Sequence, residues 1–273
     1  MNALQKLQQR YGSGEGRALY ELILSQRFGL SRTDILLGKD TTLSAEKQAE
    51  LQIIVDRVVK GEPVQYVLGC EEFCGHEFLV GPGVLIPRPE TQQLVHLVEQ
   101  NVAPGSTVLD VGTGSGCIAI TLALAGYKVT ALDVSDEALA IAKQNAERLG
   151  AEVEFVKADI IQCSIFNFQW SAIISNPPYI CESEASAMDA NVLDYEPHLA
   201  LFVPDYDPLL FYRAISEFGR EHLCDEGQIF FEVNRAYAEQ VAELLQQKGY
   251  EEVQVVKDEY DNNRFVWARK IQD

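Results

Sequence analysis

The sequence predicts an α/β protein: a doubly wound, mostly parallel seven-stranded sheet, preceded by a small all-α domain and a β-hairpin linker. Three observations carry this. From about residue 107 onward, short apolar runs alternate with amphipathic stretches of helical period, which is the pattern of βαβ units. The first of those runs ends in Gly112-Thr113-Gly114-Ser115-Gly116, a glycine-rich turn at the carboxyl edge where such sheets bind ligands. Residues 1–69, by contrast, carry apolar positions at helical spacing. The expected division is 1–69 for the helical domain, 70–86 for the hairpin linker and 87–273 for the sheet domain.

The elements follow in order. Leu4, Leu7 and Tyr11 begin the helical part, and Ala18, Leu19, Leu22, Ile23, Leu24 and Phe28 continue it at spacings of three and four until Gly29 stops the helix. Ser31 to Asp34 precedes a short apolar turn, and Ser44 opens a helix bearing Leu51, Ile54, Val55, Val58 and Val59. Residues 61–69 read as a linker, and 72–74 pair with 77–80 in a hairpin around Gly75. Pro87 and Pro89 stiffen the approach to an amphipathic helix through Leu94, Val95, Leu97 and Val98. Strands are then expected at 107–111, 128–132, 152–156 and around 173–174, with helices at 117–125 and 136–149. A helix at about 209–222, a strand at 228–233, a helix at 237–248 and strands near 253–256 and 265–269 complete the sheet.

Composition narrows the function classes. The formal net charge is −19. Residues 1–86 hold 9 Lys and Arg against 11 Asp and Glu, and residues 87–273 hold 13 against 30, so the acidity lies in the sheet domain. Such a surface repels nucleic-acid phosphates and favours a basic partner. The apolar run 117–125 is too short to span a membrane and the amino terminus lacks a signal-peptide pattern, so a cytoplasmic protein is expected. Cys70, Cys74, Cys117, Cys163, Cys181 and Cys224 form no C-x-x-C pair, and neither a metal site nor a disulfide framework is expected. His76, His96, His198 and His222 are dispersed, and no Ser-His-Asp or Cys-His arrangement is apparent.

Two motifs carry chemistry. In Gly112-x-Gly114-x-Gly116 the glycines let the backbone approach a ligand closely, and Asp133, at the end of the next strand, is placed to bind ribose hydroxyls. That pair serves dinucleotides and S-adenosyl-L-methionine alike. The G-x-G-x-G spacing, and Asp110 putting a carboxylate near where a cationic ligand would lie, favour the latter. Asp159-Ile160 comes next: the carboxylate can accept from an exocyclic adenine amine and the isoleucine can cover the ring, although Asp159 also suits a helix cap. The second motif, Asn176-Pro177-Pro178-Tyr179, follows the apolar run 171–175. Its prolines fix φ and remove two donors. The Asn176 side-chain oxygen and a prolyl carbonyl then offer two acceptors to an –NH2 group, with the Tyr179 ring as a face for a flat group. A sulfonium donor beside that acceptor pair implies in-line methyl transfer to nitrogen.

With both motifs in order, the chain resembles the HemK/PrmC family of peptide chain release factor glutamine methyltransferases. The resemblance spans nearly the whole length through Glu62 to Gly69, Leu85-Ile86-Pro87-Arg88-Pro89-Glu90-Thr91, Asp110 to Gly116, Asn176 to Ile180 and Tyr195-Glu196-Pro197. It implies a Rossmann-like S-adenosylmethionine-dependent methyltransferase domain and a helical domain that engages the release factor. It also implies cofactor contacts at Gly112, Thr113, Gly114, Ser115, Gly116, Asp133, Asp159, Ile160 and Asn176, and glutamine contacts at Asn176, Pro177, Pro178 and Tyr179. A monomer acting on a release factor, without direct contact to nucleic acid or membrane, is expected. The alternative is an amino-group methyltransferase of adenine or guanine, which would be expected to carry a basic face. A non-catalytic adaptor and a nicotinamide oxidoreductase rank lower. Three positions depart from the family pattern: Gln92 stands for a second acid, 203–208 replaces a glycine-rich loop, and Asn234 stands for a glycine, where its tolerance of left-handed backbone would serve.

Overall fold

The computed structural model describes residues 1–163 and 168–271, which fall into two compact units. The first comprises 1–70 together with 189–195, and the second 71–188 and 196–273.

The first unit is helical. Helices α1 (Ala3–Tyr11), α2 (Ser13–Phe28), α3 (Arg32–Leu36), α4 (Ala45–Val59) and α5 (Val64–Leu68) bury Leu7, Ile23, Leu24, Leu51, Ile54, Val55 and Val58 against one another. Their ends are chemically marked. Asn2 and Gln5 form a capping box at the start of α1, and Gly29, at φ +69°, closes α2 as expected. Gly16 lies where α1 meets α2: a Cβ there would sit 2.6 Å from the Gln8 nitrogen. The stretch expected to be only a linker, 61–69, contains α5. Pro63 stands at its N-cap and Gly69, at φ +81°, at its C-cap, so start and stop signals are compressed around one turn and a half.

In the second unit the hairpin pairs β1 (Cys70–Phe73) with β2 (His76–Leu79), slightly earlier than expected. The two-residue turn Cys74-Gly75 has φ of +49° and +75°, the left-handed pair that matches strand twist in tight hairpins. Gln92 bears on this turn, its Oε1 accepting from the Cys74 N–H at 3.2 Å.

The sheet contains β3 (Thr107–Val111), β4 (Lys128–Asp133), β5 (Val153–Lys157), β6 (Trp170–Ser175), β9 (Leu223–Glu232), β10 (Tyr250–Lys257) and β11 (Asn263–Lys270), in the order β10-β11-β9-β6-β3-β4-β5. The run from β5 to β9 is parallel, and β11 is antiparallel to both β9 and β10. Helices α6 (Pro89–Asn101), α7 (Cys117–Leu124) and α8 (Asp136–Leu149) cover one face, and α10 (Leu210–His222) and α11 (Ala238–Gln247) the other. Residues alternate between the two cores. Val108, Ala172, Ile174 and Phe230 enter the first, while Leu109, Ile173, Ile229 and Phe231 enter the second. The doubly wound sheet of seven strands expected from the sequence is therefore present. Between β6 and β9 the chain adds β7 (Ile180–Cys181), α9 (Ala190–Tyr195) and β8 (Phe202–Val203), with β7 and β8 paired in parallel. None of these three was expected. Two-residue strands have no period to read, and α9 groups with the first unit.

From β3 the chain winds outward to β4 and β5 and then returns to β6 on the opposite side of β3. The carboxyl ends of β3 and β6 thus form the switch point, where crossovers diverge and leave a crevice. The Ser175 hydroxyl donates to the Val111 carbonyl at 2.7 Å, joining the two strand ends at its floor.

Candidate active site

A cavity of about 430 Å³ opens at that switch point, within the size range of small-ligand sites. Gly112 and Gly114 line it with Asp133, Asp159, Ile160, Asn176, Pro177 and Pro178. Asp110, Thr113, Ser115, Gly116 and Tyr179 do not. The opposite wall comes from Gly83 to Leu85, from 197–200, and from Phe211 and Ile215.

The turn is built by its glycines. Gly112, Gly114 and Gly116 take φ of +77°, +55° and +82°, conformations strained for any side chain. The Leu132 carbonyl accepts from the Gly112 and Thr113 N–H groups at 2.8 and 3.0 Å, tying the turn to the end of β4. Gly116 has a second constraint, because a Cβ there would lie 2.8 Å from Ile120 Cδ1 and 3.1 Å from Ala142 Cβ. Asp110 lies beneath the turn, fully buried, with Oδ2 accepting from the Thr113 hydroxyl at 2.7 Å and, among the described residues, no hydrogen-bond partner for Oδ1. Burial raises its pKa to about 7, with Asp133 adding to the rise and the Thr113 bond opposing it. Ser115 is buried, its carbonyl accepting from Asn145 Nδ2 at 2.9 Å.

Asp133 accepts from the Gly114 N–H at 2.9 Å through Oδ2 and from the Ser135 N–H at 2.9 Å through Oδ1. Burial lifts its pKa, and these backbone donors pull it back. Each oxygen keeps a lone pair for a ligand hydroxyl. Asp159 accepts from the Ile161 N–H at 3.0 Å and so closes a turn, not the helix cap expected as its alternative, since no helix follows it among the described residues; it also lines the cavity. Ile160 is buried beside it. A close-approach glycine turn, a carboxylate at the next strand end and an apolar wall fit S-adenosylmethionine in chemistry and in size.

At the other end, Asn176 donates from Nδ2 to Thr91 Oγ1 at 3.2 Å, and Thr91 donates to Glu232 Oε2 at 2.7 Å. Glu232 is buried at the end of β9, where its Oε1 accepts from the Tyr179 hydroxyl at 3.1 Å. Burial raises the pKa of Glu232, while Thr91, Arg264 and Tyr179 offset the rise. Burial and the neighbouring Glu232 charge also push the Tyr179 phenol up. Asn234 grips the same loop, donating from Nδ2 to the Tyr179 carbonyl at 3.2 Å. Its backbone is not left-handed, so the expectation for this position is corrected: the amide side chain, not its conformational tolerance, occupies it. Glu196 ties the opposite wall together, accepting from the Ile86 N–H at 3.1 Å and from Arg88 Nη2 at 2.6 Å.

Thr91, Glu196 and Glu232 escaped the sequence reading as site residues. A signal existed for Glu232. It ends the apolar run Ile229-Phe230-Phe231, the same strand-end position that singled out Asp133.

The fold and cavity define an S-adenosylmethionine-dependent methyltransferase. Residues 89–193 match the family model described as methyltransferase small domain, and residues 1–69 match the PrmC N-terminal domain. Solved structures with the same fold include a methyltransferase from Pyrococcus furiosus, at TM-score 0.56 and 19% identity over 84% of this chain and 100% of that one. A 16S rRNA N2 G1207 methyltransferase from T. thermophilus, in complex with AdoMet and guanosine, aligns at TM-score 0.54 and 18% identity over 74% of this chain and 49% of that one. A release factor glutamine methyltransferase of Bacteroides thetaiotaomicron is 48% identical over 97% of both chains. The corresponding Flavobacterium psychrophilum protein is 38% identical over 96% of this chain and 95% of its own. The chain belongs to the release factor glutamine methyltransferase family.

Proposed function

We propose that this protein transfers a methyl group from S-adenosylmethionine to the side-chain amide nitrogen of the glutamine in the Gly-Gly-Gln motif of peptide chain release factors. The observation that carries the reading is a single cavity lined both by Gly112, Gly114 and Asp133 and by Asn176, Pro177 and Pro178. The curated relatives named for this activity support it along nearly their full length.

When bound, S-adenosylmethionine would supply an electrophilic methyl group to the amide nitrogen, the carbon–sulfur bond breaking to leave the neutral thioether and one proton on nitrogen passing to water. The chain's own residues supply the alignment. Asp133 binds the ribose hydroxyls, Asp159 and Ile160 take the adenine, and Gly112 to Gly116 allow the close approach, with Thr113 and Ser115 shaping the turn. Asp110 braces that turn from below, and a cationic ligand above it would favour its ionised form. Asn176 Oδ1 and the Pro177 carbonyl accept the two amide hydrogens, and Tyr179 bounds the flat amide. An amide nitrogen is a poor nucleophile because its lone pair is delocalised. Accepting both hydrogens returns density to nitrogen and fixes the line of attack.

The helical domain 1–69 is assigned to release-factor docking, the hairpin 70–86 to the connection and 87–273 to catalysis. The enzyme acts as a cytoplasmic monomer without direct contact to nucleic acid; among the described residues, no helix is long and apolar enough to cross a membrane. The test offers labelled S-adenosylmethionine with a release factor, its glutamine-substituted variant, DNA and ribosomal RNA in parallel. Label on the unsubstituted release factor alone is the expected result. Label on DNA or RNA instead would replace the protein substrate with a nucleic-acid base.

A further inference from the structure

The loop at Asn176 poses a question that heavy-atom geometry does not answer: which end of the amide faces the cavity. Oxygen and NH2 are nearly alike in shape, so their assignment follows from the surrounding network. Only an inward-facing oxygen can accept from a substrate –NH2. A reversed amide would oppose donors to donors.

We propose that Glu232 and Thr91 are positioning residues that fix the Asn176 amide with its oxygen toward the substrate. This deepens the reading of the site as an amide-nitrogen methyltransferase and rests on it. With its carboxylate ionised, Glu232 accepts and does not donate, so the single Thr91 hydroxyl hydrogen goes to Oε2, at 2.7 Å. Having given up that hydrogen, Thr91 Oγ1 can only accept from Asn176. Its neighbour at 3.2 Å is therefore Nδ2 and not the oxygen. Among the described residues no donor reaches Asn176 Oδ1. The same carboxylate takes the Tyr179 hydroxyl on its other oxygen at 3.1 Å, so one buried charge at the end of β9 sets both the asparagine and the tyrosine of the loop. This gives the threonine of the Arg88-Pro89-Glu90-Thr91 segment a chemical reason.

The relay predicts the outcome of two nearly isosteric changes. In Thr91→Val the anchor of Nδ2 is lost. In Glu232→Gln the new side-chain NH2 can donate to Thr91, freeing the hydroxyl to donate to the Asn176 oxygen and turn the amide around. Both variants are expected to lower kcat on the release factor by about 10- to 100-fold, less than outright removal of an aligned transition-state group, with S-adenosylmethionine affinity by calorimetry changed by less than about 3-fold. Thr91→Ser keeps the hydroxyl and is expected to stay within about 3-fold of the unaltered enzyme, which simple loss of packing would not predict. A second reading needs no substrate. In 15N-labelled protein the Asn176 Nδ2 hydrogens should exchange slowly in the unaltered chain and in Thr91→Ser, and quickly in Thr91→Val. Thermal melting checks that each variant folds, and Thr91→Val carries the test if Glu232→Gln does not. The relay is overturned by Thr91→Val turning over at an unaltered rate, by Thr91→Ser falling as far as Thr91→Val, or by equally fast Nδ2 exchange with and without the hydroxyl. An unaltered enzyme that leaves the glutamine unmethylated would instead remove the functional reading, and the exchange measurement would still decide the relay.

Discussion

Asn176 and Asp110 illustrate two ways a single polar atom serves one cavity. In the proposed reaction Asn176 meets the reacting group, and its truncation would remove one of two aligning acceptors while leaving the Pro-Pro turn intact. Asn176→Ala is expected to fold normally and to lose about 100-fold or more in kcat, measured by methyl incorporation into a release factor. Asp110 works from beneath. Its pKa of about 7, against an ordinary 3.8, means that the folded chain holds a proton the unfolded chain has already released across that interval. The stability linked to Asp110 is therefore present at low pH, lost as pH rises from about 4 to about 7, and constant above that. In urea unfolding without S-adenosylmethionine, the stability of the unaltered protein minus that of Asp110→Asn should fall by about 2 kcal/mol between about pH 5 and about pH 8. A constant difference would mean that Asp110 is ionised throughout. Both residues were legible in the sequence because each sits at a strand end beside a distinctive turn. Thr91 was not, because a threonine in the first turn of a helix has many ordinary uses and its partner Glu232 lies 141 residues away.

Elements were legible in proportion to their length. Helices α8 and α10 show clear periods, α7 and the central strands read as short continuous apolar runs, and apart from the early start of β9 at Leu223 they fall within a few residues of expectation. Helix α5 and strands β7 and β8 have too few residues to show a period, and they form because tertiary neighbours hold them. The glycine turn between β3 and α7 lies between these cases: its residues announce it, but the reason for each glycine appears only in three dimensions. Gly116 answers two demands, a left-handed φ of +82° and a close approach of α7 to α8. Gly126 answers only the first, with φ +95° and nothing within 4 Å of where a Cβ would lie. Left-handed backbone costs a non-glycine residue about 1–3 kcal/mol, and the Gly116→Ala methyl must also displace Ile120 and Ala142. Gly116→Ala is therefore expected to lose at least about 1 kcal/mol more than Gly126→Ala in denaturant unfolding. It should also weaken S-adenosylmethionine binding, which Gly126→Ala leaves unchanged. Equal losses in the two variants would show that the helix approach accommodates a methyl.

At the scale of the whole molecule, composition reveals what the elements do not. Of the formal charge of −19, −17 belongs to residues 87–273, and 1–86 are close to neutral. That asymmetry was readable at once, whereas the grouping of 189–195 with the amino-terminal unit was not, since nothing local links a short segment to a chain region more than a hundred residues earlier. A release-factor loop that otherwise meets ribosomal RNA should be flanked by basic residues, so the acidic sheet domain is expected to attract it over distances set by ionic screening. The Debye length shrinks from roughly 14 Å at about 50 mM salt to roughly 4 Å at about 500 mM, which removes long-range attraction but leaves hydrogen bonds inside the cavity nearly untouched. Raising salt over that range is therefore expected to increase KM for the release factor several-fold while kcat and S-adenosylmethionine affinity change little. A short neutral peptide around the Gly-Gly-Gln motif should show no such rise. If KM for the intact release factor were equally insensitive to salt, the acidity would serve solubility, and recognition would rest on contacts at short range.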